Sequence, residues 1–324
     1  MKKFFQHSGK LQKLASIIEI KQKVPAMYLT WVINNICTNA CSYCHPNLHT
    51  GTNHNYDWSQ AEEFIDQVLA RYPAIHLSIS GGEPTLSPWF KDLVKKFSDA
   101  GHPVGMTTNG ARTVRYFEDI SQYMSYIVMS YHPSFEDPEL LEKAYACAKH
   151  TITTMSIMFD SRHFDKCLAM YNKVVEDGII SVQPVKVHDW GTGNSLGRDY
   201  TPDHLRIIDS LPRVTRTMPE PKNKGLTGAE AFFDDGTHTP HLNAQELINS
   251  GNTNFEGWTC NIGLESIYVR YDGAIRRGNC ITSQFFGKLQ DVQNIIWPLT
   301  PAVCRQNYCN CTTDVYVSKH PYRG

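Results

Sequence analysis

Between Met27 and Lys186 the sequence switches repeatedly between two hydrophobic periods. Short runs such as MYLTWVIN (27–34), IHLSIS (75–80), PVGMTT (103–108), YIVMSYH (126–132), ITTMSIMF (152–159) and IISVQPVK (179–186) read as strands. Segments of helical period separate them. In 57–72, Asp57 or Ser59 can cap a helix whose apolar stripe carries Phe64, Val68 and Leu69. The stretches 88–101, 112–123, 137–150 and 163–178 are also helical, with Gly101 and Gly178 at two of the ends. Strands alternating with helices of this length need crossover connections, and these produce a parallel sheet covered by helices. Six units are too few for a complete eight-fold barrel, so the expected fold is α/β, a partial (β/α)6 TIM-like barrel with a parallel sheet. In such folds functional groups gather where the strands end.

The first strand runs into NICTNACSYCHPNLHTG, which holds Cys37, Cys41 and Cys44 within eight residues. Three thiolates on one loop suit zinc or an iron–sulfur cluster. A zinc site would close with a fourth ligand such as His45, His49 or His54. A four-iron cluster held by three cysteines keeps one iron open, which is what a metal needs to engage a substrate. Later strands end in SGGEPTL (80–86), TTNG (107–110) and MSYHP (129–133). Gly81-Gly82 or Asn109-Gly110 alone would be an ordinary turn signal; their order after the cysteines carries the weight.

The C-x3-C-x2-C spacing followed by these strand-end motifs resembles the radical S-adenosylmethionine (radical SAM) superfamily over residues 27–186. The resemblance implies a [4Fe-4S] cluster on Cys37, Cys41 and Cys44, with S-adenosylmethionine (SAM) chelating the open iron. One electron would split SAM into methionine and a 5′-deoxyadenosyl radical, which abstracts hydrogen from a substrate. By the same resemblance Tyr43 would lie beside the adenine, Gly81 and Gly82 would let backbone approach the methionine end, and Glu83 would accept from its ammonium. Asn109, Ser130 and His132 would contact the carboxylate or ribose. Met158 and Gln183, on the fifth and sixth strands, match no motif position.

Five more cysteines crowd the end of the chain. Cys260 and Cys280 flank ESIYVRYDGAIRRGNC (265–280), a β-hairpin turning at Asp272-Gly273, and CRQNYCNC adds Cys304, Cys309 and Cys311. The pattern resembles the twitch domain, the shorter relative of the SPASM domain, which implies a second, auxiliary [4Fe-4S] cluster in a small C-terminal hairpin domain. Five candidates compete for four places, and a zinc ribbon is the alternative. Cys147 and Cys167 sit on apolar helical faces and read as buried core.

The expected organisation is an N-terminal helical extension (1–26), the radical SAM partial barrel (27–188), an irregular polar insert (189–259) and the auxiliary cluster domain (260–324). In the first, Leu11, Leu14, Ile17 and Ile18 share a helical face. In the third, Trp190, Arg198, His238 and His241 are candidates for substrate contact, with helices expected at 202–210 and near 243–249. The last expected element is a strand at 314–319.

A net charge of −1 gives no electrostatic case for nucleic acid or an anionic membrane. No secretory signal or spanning run is present, which points to a cytoplasmic protein, and there ten cysteines argue for metal chemistry over disulfides. About 26 residues before the first strand are too few for a winged-helix peptide-recognition fold, which points away from a ribosomal-peptide substrate. The substrate, a small molecule, sugar or peptide, stays open. A one-electron donor such as flavodoxin or ferredoxin is the expected partner. The reading from a different class is a non-catalytic iron–sulfur or zinc protein that senses redox state or binds a partner.

Overall fold

The computed structural model describes residues 15–51, 55–187, 199–225, 228–280, 284–309 and 311–322. In chain order the first half contains β1 (Ile17–Gln22), β2 (Met27–Val32), α1 (Trp58–Arg71), β3 (Ile75–Ser80), α2 (Phe90–Asp99), β4 (Val104–Thr108), α3 (Val114–Ser121), β5 (Tyr126–Tyr131) and α4 (Leu140–Ala148). There follow β6 (Ile152–Phe159), α5 (Phe164–Asp177), β7 (Ser181–Lys186), α6 (Pro202–Ser210), β8 (Ala229–Phe233), β9 (His238–Thr239), α7 (Ala244–Asn249) and β10 (Trp258–Cys260). The last elements are β11 (Ser266–Val269), β12 (Ala274–Arg276), β13 (Phe285–Lys288), β14 (Ala302–Val303), α8 (Thr312–Val315) and β15 (Lys319–Pro321).

The chain forms two compact units. One lies within Val32–Asn55 and Leu77–Gly225, the other within Met1–Trp31, Tyr56–His76 and Leu226–Gly324. In the first, β3, β4, β5, β6 and β7 lie side by side in chain order, all parallel. Helices alternate with these strands, giving an α/β fold with a mostly parallel, unclosed sheet, as an incomplete barrel requires. The helices form for the reasons their sequences suggest. α5 buries Phe164, Cys167, Tyr171 and Val174, spaced to share one stripe, and stops at Gly178, whose φ of +67° is open to glycine. α2 buries Phe90, Leu93, Val94 and Phe97 completely. Each such side chain contributes roughly 1.5–3 kcal/mol relative to exposure.

In the second unit β14, β10, β15, β1, β8 and β9 make a six-stranded antiparallel sheet. Ile17, Ile20, Ala229, Ala231, Leu247, Phe255, Trp258 and Val315 fill a core beside it. The expected hairpin is present as β11 and β12, with Gly273 at φ +82° in its turn, and β11 also pairs in parallel with β2. α1 starts at Asp57 through a capping box with Gln60.

Three expectations are corrected. Ile17 and Ile18 do not belong to a helix; they open β1, where Ile17 and Ile20 are buried and Ile18 is exposed. β-branched residues suit that pleated surface, and the strands that make it, β8 and β15, come from distant sequence. Leu11 and Leu14 lie outside the described residues. The tract after 189 is not simply irregular, since besides α6 and α7 it supplies β8, β9 and β10. The boundaries at 26, 188 and 259 therefore do not separate the compact units. Finally, 314–319 is not one strand: Asp314 and Val315 end α8, and β15 begins only at Lys319. No helix among the described residues is long and apolar enough to cross a membrane.

Candidate functional site

The loop after β2 is tied at both ends. Gly51 N donates to Asn35 O at 2.9 Å, and Glu83 N donates to Ile36 O at 2.7 Å. Gly82 N donates to Asn34 O at 3.0 Å, while Asn34 Nδ2 donates to Glu83 O at 2.9 Å. Gly82 must be glycine for this approach, because a Cβ there would stand 2.3 Å from Leu48 O and 2.4 Å from Ile36 O. At Gly81 a Cβ would come within 2.8 Å of Asn34 O. The glycine pair after β3 thus seats the cysteine loop.

Later strand ends touch the sulfurs. Asn109, just past β4, donates through Nδ2 to Cys37 Sγ at 3.4 Å, and Asn39 N donates to the same sulfur at 3.4 Å. His132, just past β5, has Nδ1 3.5 Å from Cys41 Sγ and 2.8 Å from the Tyr43 hydroxyl, and its ring stacks on Tyr43. Burial holds this imidazole neutral, with its pKa down to about 4. The thiols respond to burial and to one another. Burial raises Cys37, pushes Cys41 up to about 11 with help from Cys44 and Cys37, and raises Cys44 with help from Cys37. Tyr43 is driven well above the ordinary phenol range by burial first and by Cys41 second. Metal binding here would therefore release protons.

Glu83 is completely buried. Its Oε1 accepts from Thr85 N at 3.0 Å, Thr85 Oγ1 at 2.6 Å and Thr108 Oγ1 at 2.8 Å, and its Oε2 accepts from Asn109 N at 2.7 Å. The carboxylate braces the end of β3 against the end of β4. Its pKa is raised by burial, against the pull of those donors. Asn109 Oδ1, in contrast, is buried and lacks a hydrogen-bond partner among the described residues. A buried acceptor on a side chain that touches the Cys37 sulfur is an unmet demand for a donor. Ser130 is buried on β5 at the register of Ser156, whose Oγ accepts from Gln183 Nε2 at 2.7 Å.

Two residues here escaped the sequence reading. Asp160, at the end of β6, is buried and held by Arg162, whose Nη2 also donates to Ser42 Oγ at 2.7 Å. Arg162 thus anchors the loop between Cys41 and Tyr43. No spacing rule pointed to it, because its partner lies on a different strand end. Of the proposed zinc partners, His45 caps the short helical turn Pro46–Leu48, His49 closes it, and His54 lies outside the described residues.

The second cysteine group is built within the other unit. Cys260, Cys280, Cys304 and Cys309 line a cavity of about 390 Å³, together with Asp314 and Lys319. Cys311 is not part of that lining; its Sγ lies 2.9 Å from Thr313 Oγ1. Asp314 Oδ2 accepts from Asn279 N at 2.8 Å and Cys280 N at 3.1 Å, which pins the end of the hairpin segment. Burial pushes Cys260 up to about 11 and Cys280 up to about 12, and lifts Cys309 and Cys311 as well. Among the described residues no three His, Cys, Asp or Glu side chains are drawn in as one metal ion requires. A cluster spreads its thiolates over separate irons, and the donor chemistry of both groups fits one.

The remaining candidates lie elsewhere. Cys147 and Cys167 are fully buried, their thiols directed at Phe117 O and Met158 O. His238 stacks on Phe232, and His241 Nδ1 is 2.8 Å from Lys23 Nζ on the exterior of the six-stranded sheet's unit. Trp190 and Arg198 lie outside the described residues.

Residues 31–157 match the Radical SAM superfamily. GTP 3',8-cyclase from Haemophilus ducreyi is 30% identical over 92 residues, 27% of this chain and 27% of that protein. Mycofactocin maturase MftC from Mycobacterium ulcerans is 34% identical over 85 residues, 26% of this chain and 22% of that protein. The chain thus spans about a quarter of the length of these curated relatives. Among solved structures, native anSMEcpe with bound AdoMet is similar at a TM-score of 0.51 and 16% identity, over 82% of this chain and 78% of that one, a likeness of fold. The family match begins inside β2 and ends inside β6, so among the described residues it takes in the strand ends that touch the sulfurs of Cys37 and Cys41; on that agreement residues 31–157 form a radical SAM superfamily domain.

Proposed function

We propose that the chain cleaves SAM reductively and uses the resulting 5′-deoxyadenosyl radical to abstract hydrogen from a substrate. The observation that carries this reading is the convergence of Cys37 and Cys41 with Asn109 and His132, residues from two later strand ends. When bound, a [4Fe-4S] cluster on Cys37, Cys41 and Cys44 supplies the electron, received from a donor such as flavodoxin or ferredoxin. The chain's own residues shape the site around that chemistry. Gly81 and Gly82 let the end of β3 pack against the backbone of the cysteine loop, and Asn109 Oδ1 offers a ligand a buried acceptor. Asn109 Nδ2 and Asn39 N lend hydrogen bonds to Cys37, which stabilise a thiolate. His132, neutral and stacked on Tyr43, orders the aromatic residue beside the third cysteine. Glu83 acts through Asn109, whose backbone it holds.

The second cysteine group is read as an auxiliary four-iron site on Cys260, Cys280, Cys304 and Cys309, the four that share one cavity. It would relay an electron or bind substrate. The chemistry of the substrate, small molecule, sugar or peptide, is for experiment to identify.

The test is anaerobic reconstitution, reduction with dithionite, addition of SAM and assay for 5′-deoxyadenosine. Product is expected, with iron near eight per chain, as two four-iron clusters require. A filled first cluster that yields no product would point instead to a redox sensor or binding module. Cys41→Ala should abolish product; surviving activity would refute the ligand assignment.

A further inference from the structure

Lys319 is a buried cation in an unusual place. Its side chain is almost wholly removed from solvent, at 3% exposure. Its Nζ donates to two main-chain carbonyls, Asp314 O and Val315 O, each at 2.8 Å, and lies 5.0 Å from the centre of the Phe255 ring. These neutral partners soften the burial of an ammonium but do not cancel its charge. Lys319 stands directly opposite Cys260 in the antiparallel pairing of β10 and β15. Directly opposed residues project to the same face of a sheet, with Cβ atoms about 5 Å apart. Both side chains accordingly line the cavity shared with Cys280, Cys304 and Cys309. The lysine charge also opposes the upward pull of burial on Cys260 and Cys309.

Four thiolates leave an oxidised four-iron cluster with a net charge of about −2, and one-electron reduction takes it to about −3. A negative charge of that size in a buried cavity needs a positive one nearby, and the more reduced state needs it more. We infer that Lys319 is the built-in counter-charge of the auxiliary cluster, a positioning and tuning residue that raises its reduction potential without ligating iron. The inference rests on reading the second cysteine group as a four-iron site. The electron added is the only redox change. The competing role is structural: the same ammonium caps the last carbonyls of α8.

The experiment uses the full chain carrying Cys37→Ala, Cys41→Ala and Cys44→Ala together, so that any remaining cluster is the auxiliary one. This background should hold about four irons. If it holds none, or zinc, the auxiliary-cluster reading fails, and the inference with it, before any lysine variant is made. Lys319→Met and Lys319→Arg are then compared by redox titration followed by electron paramagnetic resonance. Lys319→Met should weaken the reduced state at least tenfold, a fall of about 59 mV for one electron, while Lys319→Arg stays near the parent. An unchanged potential in Lys319→Met overturns the inference. If Lys319→Met loses its iron, the metal-free proteins are melted. An unchanged melting temperature, with iron retained in Lys319→Arg, supports a charge requirement; a lowered one leaves only the helix cap and overturns it.

Discussion

Glu83 offers the sharpest test of how the strand ends are held. Replacing it with alanine removes the acceptor for two main-chain donors, Thr85 N and Asn109 N, and for the Thr85 and Thr108 hydroxyls. A buried donor left without a partner costs about 1–3 kcal/mol. Hydroxyls can turn toward other acceptors, so the two backbone groups set a floor of about 2 kcal/mol for Glu83→Ala. Glu83→Gln keeps one oxygen where three of the donors converge and loses only the bond from Asn109 N, so its cost is smaller, about 1 kcal/mol or a little more. The pH dependence follows from the raised pKa. The folded protein holds the Glu83 proton more tightly than the unfolded chain, so wild-type stability from this group is fully present below its unfolded pKa, near 4.5, and declines as pH rises through the folded value. The deficit of Glu83→Gln should therefore be larger near pH 4.5 than at pH 7. Thermal melting of the metal-free proteins measures the order, and SAM titration of the reconstituted proteins reports whether Asn109 has moved. If Glu83→Ala melts with wild type, the brace is an error and the carboxylate is free to serve a ligand alone.

Two further predictions concern metal content. Gly82→Ala forces a methyl group against two main-chain oxygens, so it should displace the cysteine loop and lower iron by about four per chain; a full complement of iron would refute the seating argument. Cys304→Ala should remove the auxiliary cluster while Cys311→Ala keeps it, as read by iron analysis in the background lacking the first three cysteines; the reverse result would show that the cavity does not select the ligands.

Much of the parallel unit was legible because its signals are local. Each βα step carries its own period, and the turn residues Gly81-Gly82, Asn109-Gly110 and Gly178 mark where strands and helices stop. The cysteine loop could be read for the same reason. The antiparallel sheet was not legible. β8 and β9 are short and gain meaning only from β1, which itself imitates an amphipathic helix through Ile17 and Ile18. Side-chain direction was also hidden. A glutamate after two glycines reads the same whether its carboxylate faces a ligand or, as here, Thr85, Thr108 and Asn109. DVYVSK (314–319) reads as a strand, while the place of Asp314 is set by the Asn279 and Cys280 N–H groups, which come from distant sequence.

The cysteine loop is moored by bonds between protein groups alone: Gly51 to Asn35, Glu83 to Ile36, Gly82 to Asn34 and Arg162 to Ser42. None of these bonds asks for iron. The loop's place is therefore written into the chain itself, so a substitution that breaks the mooring, such as Gly82→Ala, acts on the cysteines without altering a sulfur.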